Sequence, residues 1–197
     1  SIKIVTSAVG FKFNPYKDLD TIIRAFKSLN NYINDREIKL VVIGEKKDNY
    51  QELNLQNIRF IDPVFNTKDL IKYYREGDIF VHSANIETWG FTVTEALSLG
   101  LPVIASNVGG IKDQIKGYKI PDNTNNANKY SIEEANGIYF ERKNDKELFS
   151  ALKYLIENDK IRALLADNAR KHAKNNYNIT DQSKKFLRIC KEIKSKY

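Results

Sequence analysis

Short apolar runs alternate with segments of helical period along most of the chain. Amphipathic helices are predicted at Asp20–Asn34, Lys68–Glu76 with Thr67 as its N-cap, Thr92–Leu99, Ile111–Lys116 and Asp145–Asn158. Between them lie six runs with the length and the Ile, Val and Phe content of strands that are buried on both faces. These runs are Ile2–Ser7, Ile38–Gly44, Ile58–Asp62, Asp78–Ser83, Pro102–Ser106 and Gly137–Glu141. The alternation predicts an α/β fold with a single, doubly wound parallel sheet of about six strands.

Two further helices, about Asp159–Asn175 and Thr180–Lys196, are predicted to end the chain as a helical tail over residues 159–197. Cys190 lies in this tail among apolar residues at helical spacing, so we expect a packed thiol. As the only cysteine it excludes an internal disulfide and fits a reducing cytoplasm. The Asp-, Asn- and Thr-rich segment Pro121–Lys129 is predicted to be a flexible surface insertion.

The net charge of +7 is confined to the end of the chain. Residues 153–197 carry 12 Lys and Arg against 5 Asp and Glu, while the remaining residues are balanced. A solvated helix face is the simplest interpretation, and contact with an anionic membrane surface is the alternative. Nucleic acid is not an expected partner, because no nucleic-acid motif is present and the aromatic residues are not interleaved with the cations.

The beginning of the chain predicts that an upstream portion is missing. Ser1 runs directly into a strand pattern, and the sequence contains no methionine. No basic segment followed by an apolar one opens the chain, so no signal peptide is predicted. We therefore expect an excised fragment.

Ligands of doubly wound sheets bind beyond the carboxyl ends of the strands, where helix N-termini point at them. The loop after the first predicted strand contains Gly10 and two lysines, Lys12 and Lys17, five residues apart. Two ammonium groups there would supply the cations that a diphosphate needs in addition to backbone N–H donors. Because lysine is abundant in this chain, the pair by itself fits a solvated surface better.

A second candidate segment follows the fourth predicted strand. It places Glu87 in the strand-to-helix loop and Glu95 in the first turn of the next predicted helix, from where carboxylates can accept hydrogen bonds from sugar hydroxyls. The amides near Gly90, Phe91 and Thr92 are expected to be free and to face an anion, assisted by the helix dipole. The alternative is a purely structural interpretation, in which Glu95 is an acid that stabilises the first turn of its helix and Gly90 is an ordinary loop glycine.

Together these segments resemble the C-terminal domain of family 4 glycosyltransferases, which are retaining enzymes of the GT-B fold. Glu87 and Glu95 have the Glu-x7-Glu spacing of that family, and Lys12-x4-Lys17 is similar to its Arg-x4-Lys diphosphate grip, with lysine replacing arginine. Gly109-Gly110 and the segment that begins Glu95-Ala-Leu-Ser-Leu-Gly-Leu-Pro extend the match in the same order. One departure is His82, which stands where proline is common.

The resemblance implies a Rossmann-like domain that binds the nucleotide sugar, with the acceptor-binding N-terminal domain absent. It implies that Glu87, Lys12 and Lys17 are catalytic, with Glu87 on the sugar hydroxyls and the lysines on the leaving diphosphate. Glu95 would bind the ribose hydroxyls. The other implied donor contacts are Gly10, Gly44, Val64, Ser83, Gly90, Phe91 and Thr92. The donor would be a UDP- or GDP-sugar, with no cofactor and no metal.

The same resemblance implies transfer of a hexose-type sugar to a glycan or lipid-linked acceptor. In bacteria such enzymes commonly build lipopolysaccharide or capsule in the cytoplasm, at the inner face of the membrane. The fragment alone is expected to be inactive. Alternatives are a nucleotide-sugar-binding subunit that needs a partner chain, a basic interaction module that uses residues 153–197, and a sugar-nucleotide epimerase, which the Glu-x7-Glu spacing disfavours.

Overall fold

The computed structural model describes residues 1–50, 57–121 and 128–194. Its strands form one parallel sheet in the order β3-β2-β1-β4-β5-β7-β6. The strands are β1 (Ile2–Ser7), β2 (Ile38–Ile43), β3 (Ile58–Ile61), β4 (Ile79–His82), β5 (Val103–Ser106), β6 (Gly117–Lys119) and β7 (Gly137–Phe140). The helices are α1 (Leu19–Tyr32), α2 (Thr67–Arg75), α3 (Phe91–Ser98), α4 (Ile111–Gln114), α5 (Asp145–Glu157), α6 (Asp159–Asn176) and α7 (Ile179–Lys194). Single 3-10 turns occupy Phe11–Phe13 and Lys47–Tyr50.

Helices cover both faces of the sheet, as the apolar strand runs predict. Successive side chains of a strand point to opposite faces. Ile4 and Val81 therefore pack with α1 and α5, while Val5 and Phe80 pack with α2, α3 and α4 on the other side. Helix α6 contributes buried side chains to the apolar cluster on each face of the sheet. The predicted α/β fold with a doubly wound parallel sheet is confirmed.

The sheet has a seventh strand, β6, which the sequence pattern did not predict. Its three residues, Gly117-Tyr118-Lys119, are too few and too polar to form an apolar run. The strand exists because it pairs along β7, with Gly117 opposite Gly137, and so becomes the edge of the sheet.

Two predicted helix ends are wrong for local reasons. The N-cap of α2 is Asn66, whose side chain accepts hydrogen bonds from the amides of Lys68 and Asp69, rather than Thr67. Helix α4 ends at Gln114 instead of Lys116, because the amide of Lys116 bonds to the Asn136 side chain at 2.9 Å and its carbonyl accepts from the Asn136 amide.

The last helix does not pack as predicted. No described residue of α7 is buried, and Cys190 is exposed rather than packed. Its apolar face carries Phe186, Leu187, Ile189 and Ile193, each at least half exposed, because no other described element covers it. No helix among the described residues is both long and apolar enough to cross a membrane. Of the predicted insertion Pro121–Lys129, residues 122–127 lie outside the described part of the chain.

Deleting residues 178–197 is expected to change the free energy of unfolding by less than about 1 kcal/mol, because α7 buries no described side chain. The comparison is Leu165→Ala in α6, a fully buried position where truncation costs about 2–5 kcal/mol. Urea denaturation of the three proteins measures both effects. A loss after deletion as large as that of Leu165→Ala would show that α7 packs on the domain in solution.

Candidate functional site

The candidate site lies at the switch point of the sheet, where β1 and β4 are neighbours although the chain passes through β2 and β3 between them. Ligands of doubly wound folds bind at this point. The loops that follow these two strands are joined through their backbones. Lys17 and Ala84 form an antiparallel bridge, and the Asn85 amide donates to the Tyr16 carbonyl at 2.8 Å. Residues 9–18 and 83–90 are therefore held side by side.

This junction brings Lys17 and Glu87 into contact. The Lys17 ammonium forms a short ion pair with Glu87 Oε2, and the side chains are 17% and 15% exposed. His82 Nε2 lies 3.4 Å from Lys17 Nζ and 3.4 Å from Glu87 Oε2. The imidazole is 3% exposed. Two residues that the sequence assigned to different parts of a donor thus share one cluster with a third that it did not assign.

The cluster keeps Glu87 ionised. The His82 hydrogen bond is the largest influence and, with the Lys17 hydrogen bond and charge, lowers the pKa of Glu87 to about 2, against the opposing effect of burial. Burial lowers the pKa of His82, which therefore stays neutral near pH 7. The site presents a carboxylate, an ammonium group and an uncharged imidazole.

The glycine pair Gly109-Gly110 braces the loop that carries Glu87. The Gly110 amide donates to the Glu87 carbonyl at 2.9 Å. A Cβ atom on Gly109 would lie 1.9 Å from the Glu87 carbonyl oxygen. A Cβ atom on Gly110 would lie 1.8 Å from the Thr88 carbonyl oxygen. Gly109 also has a left-handed φ of 41°. Close packing is therefore the reason for glycine at both positions.

The start of α3 differs from the prediction in one respect. Gly90 is the N-cap, but its amide is not free, because it donates to Gln114 Oε1 at 2.8 Å. Gln114 is fully buried and also donates to the Gly90 carbonyl at 3.0 Å. The amides of Phe91 and Thr92 open the helix, where the first N–H groups lack partners within it. Phe91 is 74% exposed, so its surroundings are open to a ligand.

Glu95 lies in the second turn of α3 rather than the first, because the helix begins one residue earlier than predicted. The residue as a whole is exposed, but its carboxylate accepts a hydrogen bond from the hydroxyl of buried Tyr74 at 3.0 Å. Desolvation raises the pKa of Glu95, and the Tyr74 hydrogen bond opposes that shift. The carboxylate lies at a pocket of about 250 Å³ between α2 and α3, which Leu70 and Leu99 also line.

The two glycine loops meet at the ends of β1 and β2. The Gly10 amide donates to the Gly44 carbonyl at 2.9 Å, and both glycines have left-handed φ angles. A Cβ atom on Gly44 would lie 2.2 Å from the Ala8 carbonyl oxygen, so this position requires glycine.

Lys12 is separate from the Lys17–Glu87 pair. Its ammonium is exposed and donates to the Asn49 carbonyl at 3.3 Å. Its amide donates to Glu45 Oε2 at 2.8 Å, and Glu45 is only 3% exposed. The two lysines therefore contact different partners and do not form one grip in this structure.

The remaining predicted residues flank the site. Val64 follows β3, is partly buried and packs against the α2–α3 side of the core. Ser83 follows β4 and is 2% exposed. Its carbonyl accepts from the Asp18 amide at 3.2 Å, while its hydroxyl has no partner among the described residues. Among the described residues, no group of three or more His, Cys, Asp and Glu side chains could hold a metal ion.

Sequence reasoning missed four side chains that shape the site: Glu45, Tyr74, His82 and Gln114. Each contacts a predicted residue that is more than twenty positions away in the chain, and His82 contacts Lys17 in this way as well as the nearby Glu87. Their only signal is a polar residue beside an apolar run, which is also typical of an ordinary strand or helix end.

Gly110→Ala is expected to destabilise the protein by about 1–3 kcal/mol, because the new methyl group overlaps the Thr88 carbonyl. The Gly110 φ of −69° suits alanine, so the effect isolates the steric clash. Chemical denaturation measures the stability, and the amide NMR shift of Glu87 reports movement of its loop. Lys112→Ala, at an exposed position of α4, is the control and should change stability by less than about 0.5 kcal/mol. A Gly110→Ala variant that matched this control would refute the bracing role.

Glu87 should contribute a pH-dependent share of stability. Its pKa falls from an ordinary value of 4.5 to about 2 in the folded chain, so its contribution is complete above about pH 4.5 and is lost as the pH falls towards 2. Glu87→Gln should therefore weaken the pH dependence of the unfolding free energy across that window. Denaturation series for wild type, Glu87→Gln and the exposed control Glu133→Gln test this. Identical pH profiles for all three would contradict it.

Comparison with known proteins identifies the family. Residues 11–172 match the family described as glycosyl transferases group 1. A D-inositol 3-phosphate glycosyltransferase of Corynebacterium glutamicum is 26% identical over 186 residues, covering 88% of this chain and 40% of that protein. A GDP-mannose-dependent alpha-mannosyltransferase of Mycobacterium tuberculosis is 34% identical over 82 residues, 42% of this chain and 22% of that protein. The chain spans about 40% of the length of the curated relatives that it matches over most of its own length.

Solved structures share the fold. A sucrose-phosphate synthase of Thermosynechococcus elongatus superimposes with a TM-score of 0.76 at 20% identity, over 100% of this chain and 46% of that one. HepE of Anabaena, in complex with UDP-glucose, has a TM-score of 0.72 at 16% identity, over 97% and 49% of the two chains. The C-terminal domain of a group 1 glycosyl transferase of Francisella tularensis has a TM-score of 0.68 at 23% identity, over 90% and 87%. Because the family match covers most of its residues, this chain belongs to the glycosyl transferases group 1 family and has the Rossmann-like fold of GT-B glycosyltransferases.

Proposed function

We propose that this chain is the donor-binding domain of a retaining glycosyltransferase that transfers a hexose-type sugar from a UDP- or GDP-sugar. The observation that carries the proposal is the Lys17–Glu87 ion pair at the switch point of the sheet, in a chain of the group 1 family. A carboxylate beside an ammonium group there offers one partner for sugar hydroxyls and one for a diphosphate.

The charges of the site residues support different roles for Glu87 and Lys17 in binding the donor. Glu87 stays ionised, so it can accept hydrogen bonds from sugar hydroxyls. Lys17 and the first amides of α3 provide positive charge where negative charge develops on the leaving diphosphate. Loss of one such contact typically costs about 3 kcal/mol of transition-state stabilisation. In this proposal the departing diphosphate takes the acceptor proton.

The nucleoside end of the donor is assigned to the loops around Glu95, Val64, Gly44 and Gly10. Glu95 and Tyr74 offer hydrogen-bonding groups for ribose hydroxyls at the pocket between α2 and α3. Gly44 and Gly10 let the backbone approach a ligand closely. Similar proteins include one in complex with UDP-glucose, HepE, and one named as GDP-mannose-dependent, the mycobacterial mannosyltransferase. The base is therefore left to experiment.

In this proposal a second half of the enzyme binds the acceptor. The segments that follow β1, β3 and β4, at the carboxyl edge of the sheet, expose large apolar side chains: Val9, Phe13, Tyr16, Phe65, Ile86 and Phe91. The apolar face of α7 is exposed as well. Apolar areas of this kind mark interaction sites. The other half can be part of the same polypeptide or a partner chain, and in the latter case this chain is a nucleotide-sugar-binding subunit without activity of its own.

The cellular role follows from the same proposal. The acceptor is a glycan or lipid-linked molecule of bacterial surface polysaccharide, such as lipopolysaccharide or capsule, handled in the cytoplasm. The cationic surplus of residues 153–197 supports peripheral contact with the anionic inner face of the membrane.

Calorimetric titration with UDP, GDP and ADP tests the donor site. One nucleotide should bind, and Glu95→Ala and Lys17→Ala should each weaken it about tenfold or more, as expected for lost hydrogen bonds to charged groups. Glu133→Ala and Lys160→Ala, exposed positions outside the site, are the matched controls. Weak binding of all three nucleotides that neither site variant changes would contradict the proposal.

An activity assay tests the need for a second half. The chain alone should hydrolyse or transfer the donor sugar at a small fraction of the rate of a complete two-domain relative, because in this proposal the second half supplies the acceptor site. Transfer by this chain alone at the rate of the complete relative would refute that part of the proposal.

A further inference from the structure

His82 is the buried polar residue of the site to which neither the sequence nor the family comparison gives a role. It is the last residue of β4, lies opposite Ala105 of β5 and is 3% exposed. Burying a polar side chain is costly unless it is hydrogen-bonded. Its Nε2 has two charged neighbours, whereas its Nδ1 has no partner among the described residues.

The two neighbours of Nε2 make opposite demands. The Lys17 ammonium can only donate, the Glu87 carboxylate can only accept, and a neutral imidazole nitrogen is either a donor or an acceptor. Nε2 can therefore bond to only one of the two at a time. A lone pair on Nε2 would face the Glu87 carboxylate at 3.4 Å and would leave a buried N–H unpaired at Nδ1. The tautomer with hydrogen on Nε2 avoids both costs.

In this structure Glu87 has two donors within reach, because Lys17 also pairs with it. A diphosphate bound at Lys17 would compete for the same ammonium group. Glu87, whose side chain is 15% exposed, would then lose its cationic partner in a partly dehydrated place. An unpaired charge there is costly unless another donor replaces the lysine. His82 Nε2 is already within 3.4 Å of the carboxylate.

We infer that His82 is a positioning residue of the donor site, whose Nε2–H holds the Glu87 carboxylate towards the sugar when the diphosphate draws Lys17 away. This inference rests on the proposed function. It gives His82 a role that acts through Glu87 and needs no contact with the donor. It also gives the buried imidazole at this strand end a hydrogen-bond partner at Nε2.

Two variants separate the hydrogen bond from the packing. His82→Leu removes the donor, whereas His82→Gln places an amide N–H at the same distance along the side chain. His82→Leu should weaken binding of UDP-glucose or GDP-mannose about tenfold, the effect of a lost hydrogen bond to a charged group, and should weaken UDP or GDP much less. His82→Gln should stay within about threefold of wild type for both ligands. Equal losses for nucleotide sugar and bare nucleotide in His82→Leu would overturn the inference.

The titration of Glu87 is a readout that a merely structural role would not move. In ¹³C NMR of glutamate-labelled protein, the Glu87 pKa should rise in His82→Leu and remain low in His82→Gln, while that of Glu95 stays unchanged. An unchanged Glu87 pKa in His82→Leu would overturn the inference. A wild-type chain that binds no nucleotide sugar would instead refute the proposed function, and this titration would still decide whether His82 holds Glu87.

One measurement requires no substitution and therefore remains informative if His82→Leu fails to fold. The imidazole ¹⁵N shifts of His82 should show hydrogen on Nε2 in the free chain, and the Nε2 signal should move when UDP or GDP is added. A lone pair on Nε2 in the nucleotide-bound chain would contradict the inference.

Discussion

The backbone junction between the loop after β1 and the loop after β4 is the constraint on which the site depends. Lys17 bridges Ala84, and Asn85 bonds to Tyr16, so that two segments separated by about seventy residues run side by side. Parallel strands make this possible, because their carboxyl ends share one edge of the sheet. The Lys17–Glu87 ion pair is a consequence of this junction. Without it the lysine and the carboxylate would be two solvated surface charges.

Close packing keeps the junction rigid from the opposite side. Gly109 and Gly110 approach the carbonyl groups of Glu87 and Thr88 too closely for any side chain, and buried Gln114 bonds to both backbone groups of Gly90. The Glu87 loop is thus held by the loop after β1 on one flank, and by α4 and the glycine pair that precedes it on the other. A rigid surrounding shell is what a binding site needs to hold charged groups in a fixed geometry. Helix α4 is short, but it and the glycines before it brace the loop that carries Glu87.

The electrostatics of the site depend on partial burial. Exposed ion pairs contribute little, whereas the Lys17–Glu87 pair is largely removed from water, and its carboxylate stays ionised because His82 and Lys17 both contact it. Glu95 is in the opposite situation: desolvation raises its pKa, and its hydrogen-bond partner within the described part of the chain is the neutral Tyr74 hydroxyl. The pKa values of these two acids, eight residues apart, are therefore shifted in opposite directions.

The sequence alone determined the fold class and most of the strands, because apolar runs buried on both faces occur in few architectures other than a parallel sheet covered by helices. It also singled out Glu87, Glu95, Lys12 and Lys17, because residue type and spacing are local properties. Tertiary structure decided which of them meet. Lys17 pairs with Glu87, whereas Lys12 lies against Asn49, and His82 joins the first pair. It likewise left Cys190 exposed and formed β6 from three residues without an apolar pattern. These features depend on contacts between segments that are distant in the chain, and local patterns of hydrophobicity contain no record of such contacts.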